Sequence, residues 1–334
     1  MNSSDPGFLA RIPSLRALVV GDFVLDRYLI GRVEQISLEA PVPVVRIEKE
    51  YRRLGGAGNI VRNLRSFGCE VHVAGVAGCD AGAEQMRRMC RELEVDDTGL
   101  LEDTSRSTTE KVRIVAQNQH VVRYDCGTTN YMSAALTEEM SVRVEAVLDT
   151  CDLVVFADYT KGALHQNLIA NIAKSARARH LTVVGNPEGS DYSRYRGLSA
   201  LTRNEREFWE TVGKKAVAGE ALVEVGRSML RELDLEALCI TRGLRGVMLE
   251  LRDTVLDIST EGVEVGDVSS VGDMFVSAFG ACVAAGGDYE ESARWANWTT
   301  GELFHKARKC RSHHTRWSVE RLGMKASFSC VRLT

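Results

Sequence analysis

Gly266-Asp-Val-Ser-Ser-Val-Gly-Asp-Met-Phe275 is a short turn of small and polar residues that runs straight into an apolar segment. From Met274 to Ala285 nearly every residue is apolar or small, which predicts a buried helix stopped by Gly286-Gly287. The first N–H groups of such a helix have no partner within it, and its dipole favours negative charge. The turn therefore predicts an anion site. Asp273 in that place would repel a phosphate. It makes sense if the carboxylate faces a second substrate and takes a proton from it. Taken as an isolated fragment, Asp273 reads equally well as a first-turn acid that complements the dipole.

The 334 residues suffice for one large α/β domain or two ordinary ones. A hydrophobic content of 44% and a charged content of 26% are those of a globular protein. The net charge of −4 gives no general basic footprint for nucleic acid. No apolar run is long enough to predict a membrane span, and Met1-Asn-Ser-Ser-Asp-Pro-Gly7 lacks the pattern of a secretory signal. Nine scattered cysteines with no Cys-x-x-Cys pair predict reduced, mostly structural thiols and hence a cytoplasmic location. The histidines show no metal-ligand spacing.

Working outward from the 266–275 stretch, the chain alternates short apolar runs with amphipathic ones. Strands are predicted at Arg16–Gly21, Glu70–Val76, Leu153–Phe156, Leu181–Val184, Ala237–Thr241 and Gly246–Glu250. Helices are predicted from Ile60 and over Ala83–Leu93, Leu136–Leu148, Leu164–Ala176 and Gly219–Leu235. Strands alternating with helices imply a mostly parallel sheet covered on both faces. Residues 1–15 read as a loose tail, and residues 16–334 as one domain. Segments 29–50 and 107–125 alternate apolar and polar residues and do not fit the covered sheet, so they are expected to form a small β lid. In such a sheet ligands bind beyond the C-terminal strand ends. Polar turns fall there: Asp22 and Asp26, Gly55-Gly56, Asp158–Gly162, Asn186–Gly189, Thr202–Glu207, Thr241–Gly243 and the 266–273 loop.

These residues resemble the ribokinase-like (PfkB) carbohydrate kinases over about residues 16–305. Gly55-Gly56 with Asn59 resembles the family's N-terminal signature, and Asp267-Val-Ser-Ser-Val-Gly-Asp273 its C-terminal one. Val20–Tyr28, Ile36–Val45, Asn118-Gln119 with Arg123-Tyr-Asp125, and Asp158-Tyr-Thr-Lys-Gly162 are similar to the branch of D-glycero-β-D-manno-heptose-7-phosphate kinases. The resemblance implies a three-layer sandwich with a lid. It implies an ATP- and Mg²⁺-dependent transfer of the γ-phosphoryl group to the C1 hydroxyl of a heptose 7-phosphate, a step toward lipopolysaccharide precursors. Asp273 would be the catalytic base, with the N–H groups of Ser270, Val271 and Gly272 as anion hole. Asp26, Gly55, Gly56, Asn59, Arg123, Asp158 and Lys161 would bind the sugar phosphate. Asn204, Glu207, Thr241 and Gly243 would bind the nucleotide, and Glu207 would hold Mg²⁺ through water. A homodimer with lids paired edge to edge is expected, because pairing hides exposed strands. No nucleic-acid or membrane partner is expected.

Three departures from the family pattern bear on activity. Val271 stands where alanine is usual, Glu188 stands where the heptose kinases carry lysine, and Lys306–His314 lacks the family's Lys-x-Gly-Thr turn. A reversed charge at 4 Å is worth about 4 kcal/mol at an effective dielectric of 20. Arg203 offers a compensating positive charge nearby. Lys161 and the group Arg46, Lys49, Arg52 and Arg53 are candidates for the substrate's own phosphate. The alternatives to a heptose kinase are a catalytically impaired sugar-phosphate-binding homologue and a kinase for another sugar phosphate.

Overall fold

The computed structural model describes residues 7–117, 119–189, 191–213, 220–260, 271–309 and 330–333. In chain order the strands are β1 (Arg16–Gly21), β2 (Phe23–Ile36), β3 (Pro43–Gly56), β4 (Glu70–Ala77), β5 (Leu100–Glu102), β6 (Glu110–Ala116) and β7 (Gln119–Cys126). They continue with β8 (Leu153–Asp158), β9 (Thr182–Pro187), β10 (Ala200–Asn204), β11 (Ala237–Thr241), β12 (Val247–Leu251), β13 (Val255–Ile258) and β14 (Cys330–Leu333). The helices are α1 (Ala57–Ser66), α2 (Ala81–Glu92), α3 (Ala134–Leu148), α4 (Gln166–Ala178), α5 (Glu205–Val212), α6 (Glu220–Glu232), α7 (Val271–Ala284) and α8 (Tyr289–Lys309).

Ten strands make one sheet, in the order β14-β13-β12-β11-β10-β9-β8-β1-β4-β5. Pairings from β5 to β11 are parallel, and β12, β13 and β14 complete the edge antiparallel. The central strands read as unbroken apolar runs because both of their faces are covered. Val19, Val155 and Phe279 of α7 belong to one core, with α1 and α2. Val20, Val154 and Ile169 of α4 belong to the other, with α3 and α6. This is the three-layer architecture that the alternation predicts.

Several boundaries depart from the sequence reading. Residues 1–15 are not a loose tail throughout: Phe8, Leu9, Ile12 and Leu15 are buried against the first core. The expected turn at 202–207 is the end of β10 followed by α5, and Gly55-Gly56 is the end of β3 rather than a turn. α7 ends as expected, with Gly286 at φ 88. No described helix is long and apolar enough to cross a membrane.

The second sheet has the order β3-β2-β6-β7, so segments 29–50 and 107–125 do share one small sheet. β2 pairs antiparallel with β3 over its whole length and parallel with β6. Both long strands run further toward the core than expected, and β2 starts only one residue beyond β1. That continuity fixes the small sheet at the C-terminal edge of the large one.

One acid in the large sheet has no role in a site. Glu250 on β12 is fully buried, with Arg227 as its ion-pair partner at 3.3 Å and neither carboxylate oxygen hydrogen-bonded. Burial pushes its pKa up to about 7. A raised folded-state value adds stability that is fully present below the unfolded value and is lost as pH rises through the folded one. Glu250→Gln, which mimics the protonated form, should therefore raise stability at pH 8 by about 1–3 kcal/mol. The gain should shrink at pH 5. Denaturant titration at the two pH values checks this, and an equal effect at both would contradict it.

Candidate active site

Asp273 lies in the first turn of α7 and is 6% exposed. Asn59 Nδ2, from α1, donates to its Oδ2 at 2.8 Å. On the other side, the Tyr159 hydroxyl donates to Oδ1, and Asn186 Nδ2 donates to the same oxygen at 3.4 Å. One helix turn further along, Asn63 Nδ2 donates to Ser277 Oγ at 3.4 Å. A polar seam thus runs between α1 and α7 inside an otherwise apolar contact. Burial outweighs the hydrogen bonds from Asn59 and Tyr159 and pushes the carboxyl up to about 6. Glu188 adds to the rise and Lys111 opposes it.

Tyr159 is held by a residue that had no assigned role. The buried Asp22 carboxylate accepts from the N–H groups of Tyr159 at 2.8 Å, Lys161 at 2.9 Å and Ala163 at 2.9 Å. Its backbone donates to Ala157 O, and its own carbonyl accepts from Ala57 N at the start of α1. Asp22 therefore ties β1, the loop after β8 and α1 to one point. Burial, then the neighbouring Asp158, raise its pKa to about 6 against those three donors.

Asp158, expected to touch sugar, does something else. Its carboxylate is 2% exposed and accepts from Arg194 Nη2 at 2.6 Å, from the Tyr195 hydroxyl and from Thr160 N. Three donors inside the protein meet this buried carboxylate, so its contacts shape the loop. Lys161 is half-buried, and its ammonium acts on Glu188.

On the lid side, Asp26 pairs with Arg113 of β6. Gly55 abuts it so closely that a Cβ there would lie 2.1 Å from Asp26 Oδ2. Gly56 takes φ 56 and turns β3 directly into α1. Asn59 is shared: its Oδ1 accepts from Arg62 Nη1 at 3.1 Å while its amide holds Asp273. Arg123 sits on the outer strand opposite Arg113, 56% exposed in its side chain, and pairs with Asp125 at 3.0 Å. It is two strands away from Asp26, across β6.

On the nucleotide side, Asn204 Oδ1 caps α5 by accepting from Glu207 N at 2.9 Å. The Glu207 carboxylate pairs with Arg203 at 3.2 Å. Arg203 is buried and donates to Pro187 O and Gly189 O, so its charge is spent within the protein rather than offered to phosphates. Thr241 Oγ1 donates to Arg203 O at 3.2 Å, and Gly243 opens a short turn at φ 59. Val271 and Gly272 begin α7, and a Cβ at Gly272 would meet nothing within 4 Å. Ser270 and Asp267 lie outside the described residues. Lys306–Lys309 extend α8, and Cys310–His314 lie outside the described residues. Among the described residues no group of three or more acidic, His or Cys side chains could cage a metal ion. A Mg²⁺ here would rely on phosphate and water ligands, with Asn204 and Glu207 beside it, which is how Mg²⁺ is usually held.

Tyr159, Asn186, Lys111, Arg62, Arg113 and Asp22 were not assigned from the sequence. Lys111 stands 5.9 Å from the centre of the Tyr159 ring. Tyr159 and Asn186 were inside motifs already singled out. What identifies them is contact with a helix 114 and 87 residues away, which local pattern does not carry.

Known proteins share the sequence pattern and the fold. The sequence profile of the pfkB family of carbohydrate kinases matches residues 15–307. The chain is 38% identical over 300 residues to the bifunctional protein HldE of Syntrophotalea carbinolica, covering 90% of this chain and 61% of that one. It is 38% identical over 293 residues to the HldE of Geobacter sulfurreducens, covering 87% and 60%. The chain thus spans about 60% of the length of these relatives. Escherichia coli phosphofructokinase-2, solved with fructose-6-phosphate, superposes with a TM-score of 0.72 at 13% identity, covering 87% of this chain and 94% of that one. Arabidopsis thaliana ribokinase, solved with ribose and ATP, gives 0.68 at 15% identity, covering 87% and 93%. With a buried acid at the head of α7 and the family profile over most of its length, the chain belongs to the pfkB family of carbohydrate kinases, phosphotransferases with an alcohol group as acceptor.

Proposed function

We propose that the chain is an ATP- and Mg²⁺-dependent kinase that transfers the γ-phosphoryl group to the C1 hydroxyl of a heptose 7-phosphate. The observation that carries the reading is Asp273, a buried carboxylate aimed by Asn59 and Tyr159 at the head of α7. Phosphoryl transfer passes through a loose transition state, so the protein contributes positioning and charge stabilisation. Asp273 accepts the proton of the acceptor hydroxyl as the new bond forms. A carboxyl raised to about 6 is a better base for this than an ordinary one and is still mostly ionised at neutral pH. The N–H groups at the start of α7 face the side where negative charge builds up. Mg²⁺, when bound with ATP, would neutralise the phosphates.

Glu188 does not by itself argue for an inactive protein. Its charge is met by Lys111, Arg203 and Lys161, while burial holds its pKa above the ordinary carboxylate value. The heptose assignment rests on the motif resemblance. The buried, reduced cysteines support a cytoplasmic setting: burial pushes Cys69 and Cys90 up to about 12, where thiols are inert.

The lid supports a homodimer, through its face rather than its edge. Ile47, Val122 and Tyr124 project on the face opposite Asp26 and are 41%, 47% and 44% exposed. Exposed apolar side chains grouped on one sheet face mark an interaction surface. Light scattering should give a mass twice 36.8 kDa. A mass at the single-chain value would remove the dimer.

The direct assay is ADP release from ATP and Mg²⁺ with heptose 7-phosphate. Asp273→Asn should lower kcat by about 10²–10⁴-fold, the usual worth of a positioned base; unchanged turnover would take Asp273 out of the mechanism. The base must be ionised, so kcat/KM should fall as pH drops through about 6. The Tyr159 hydroxyl stabilises the ionised form, so Tyr159→Phe should move that acid limb upward by about 1–2 pH units. A limb that stays put or moves down would show that Tyr159 does not tune the base.

A further inference from the structure

The inner face of the lid carries charge that the base and the nucleotide side do not use. Strand register puts Asp26 and Tyr28 of β2, Tyr51 and Arg53 of β3, and Arg113 of β6 on one face of the small sheet. α1 supplies Arg62 from the other side. Arg113 pairs with Asp26, and Arg62 Nη1 donates to Asn59 Oδ1 at 3.1 Å. Tyr28 and Tyr51 stack with ring centres 4.6 Å apart. The guanidinium of Arg53 lies 5.1 Å from the centre of the Tyr51 ring, and that of Arg113 lies 5.1 Å from the centre of the Tyr28 ring. The aromatic pair thus fixes the planes of two guanidiniums. Among the described residues neither Arg53 nor Arg62 has a carboxylate at ion-pair distance. Burial, and then the charge of Arg53, lower the pKa of Arg62, while Asp26 opposes the shift.

Three guanidiniums gathered around one carboxylate leave a net charge of +2. Like charges brought together repel, so such a group is poorly explained as a stability device. It is well matched to a phosphate monoester, which carries about −1.5 to −2 at pH 7 and accepts paired N–H groups from arginine. Asn59 gives the position: one end of its side chain holds Asp273 and the other accepts from Arg62. The cations therefore begin one side chain away from Asp273.

We propose that Arg53, Arg62 and Arg113 form the subsite for the phosphate that the sugar already carries, and so select a phosphorylated over an unphosphorylated acceptor. The proposal rests on the sugar-kinase reading above for the identity of its ligand. Of the basic residues that the sequence marked for this role, Arg53 belongs to the cluster. Arg46 instead pairs with Glu34 at 3.5 Å and Arg52 with Glu50 at 2.8 Å.

The test is calorimetric titration without ATP, using heptose 7-phosphate, the same heptose without its phosphate, and inorganic phosphate as a competitor. The wild-type protein should prefer the phosphorylated sugar, and inorganic phosphate should weaken that preference. Arg62→Gln should cut the preference by about 10–100-fold, the worth of a charged hydrogen bond. Arg53→Gln, at an exposed position where folding is not at stake, should cut it in the same direction. Arg46→Gln, the control outside the cluster, should leave it as in the wild type. Equal wild-type affinity for both sugars, or an undiminished preference in both cluster variants, would overturn the proposal. Because ATP is absent, the titration separates the two readings. A preference without any ADP release would uphold the subsite and defeat the kinase. Turnover of both sugars alike would do the reverse.

Discussion

The structure turns on one carboxylate that cannot be buried cheaply. Asp273 sits inside the contact between α1 and α7, and an isolated ionised acid there would cost several kcal/mol. Asn59 and Tyr159 meet it from two separate parts of the chain, and the head of α7 adds its dipole. Each of these supports needs a support of its own. Asn59 depends on Gly56 turning β3 into α1, and Tyr159 depends on Asp22 gathering three backbone N–H groups. The central sheet supplies the frame, since β1, β8 and β9 end side by side in register. A sheet that is apolar throughout its middle thus delivers its polar residues to one edge.

The same economy explains why two acids near the site are not ligands. Asp22 and Asp158 are both almost inaccessible; Asp22 accepts from three N–H groups of the loop that carries Tyr159, and Asp158 accepts from Thr160 N of that loop and from Arg194 and Tyr195. A loop with buried polar backbone must have such partners. Contacting Asp273 and holding the loop behind that contact are divided between residues only a few positions apart, which is why motif position alone does not separate them.

Much of the fold is legible in the sequence because covered parallel strands announce themselves as apolar runs. The small sheet is legible because its strands alternate. What the sequence conceals is physical. β10 looks like a polar turn because Thr202-Arg203 interrupt it, yet the terminal Arg203 nitrogens donate to the carbonyls of Pro187 and Gly189 and the strand stays buried. The start of the chain looks loose because Phe8, Leu9 and Ile12 are too few to show a period, but each finds the first core. At the site, Asp273, Asn59 and the glycines could be named from motifs. Tyr159, Arg62 and Arg113 acquire their roles only when strands and helices far apart in the chain meet, and no local spacing records that meeting.

The kinase we propose needs Asp273 to be a buried base facing the acceptor sugar. Carbon-13 NMR of the aspartate side-chain carboxyls, with Asp273→Asn to assign the signal, reads this directly. A titration midpoint near 6 in the free protein, which moves when the sugar phosphate is added, is the expected result. A midpoint in the ordinary range of about 3.9, unaffected by the sugar, would contradict it.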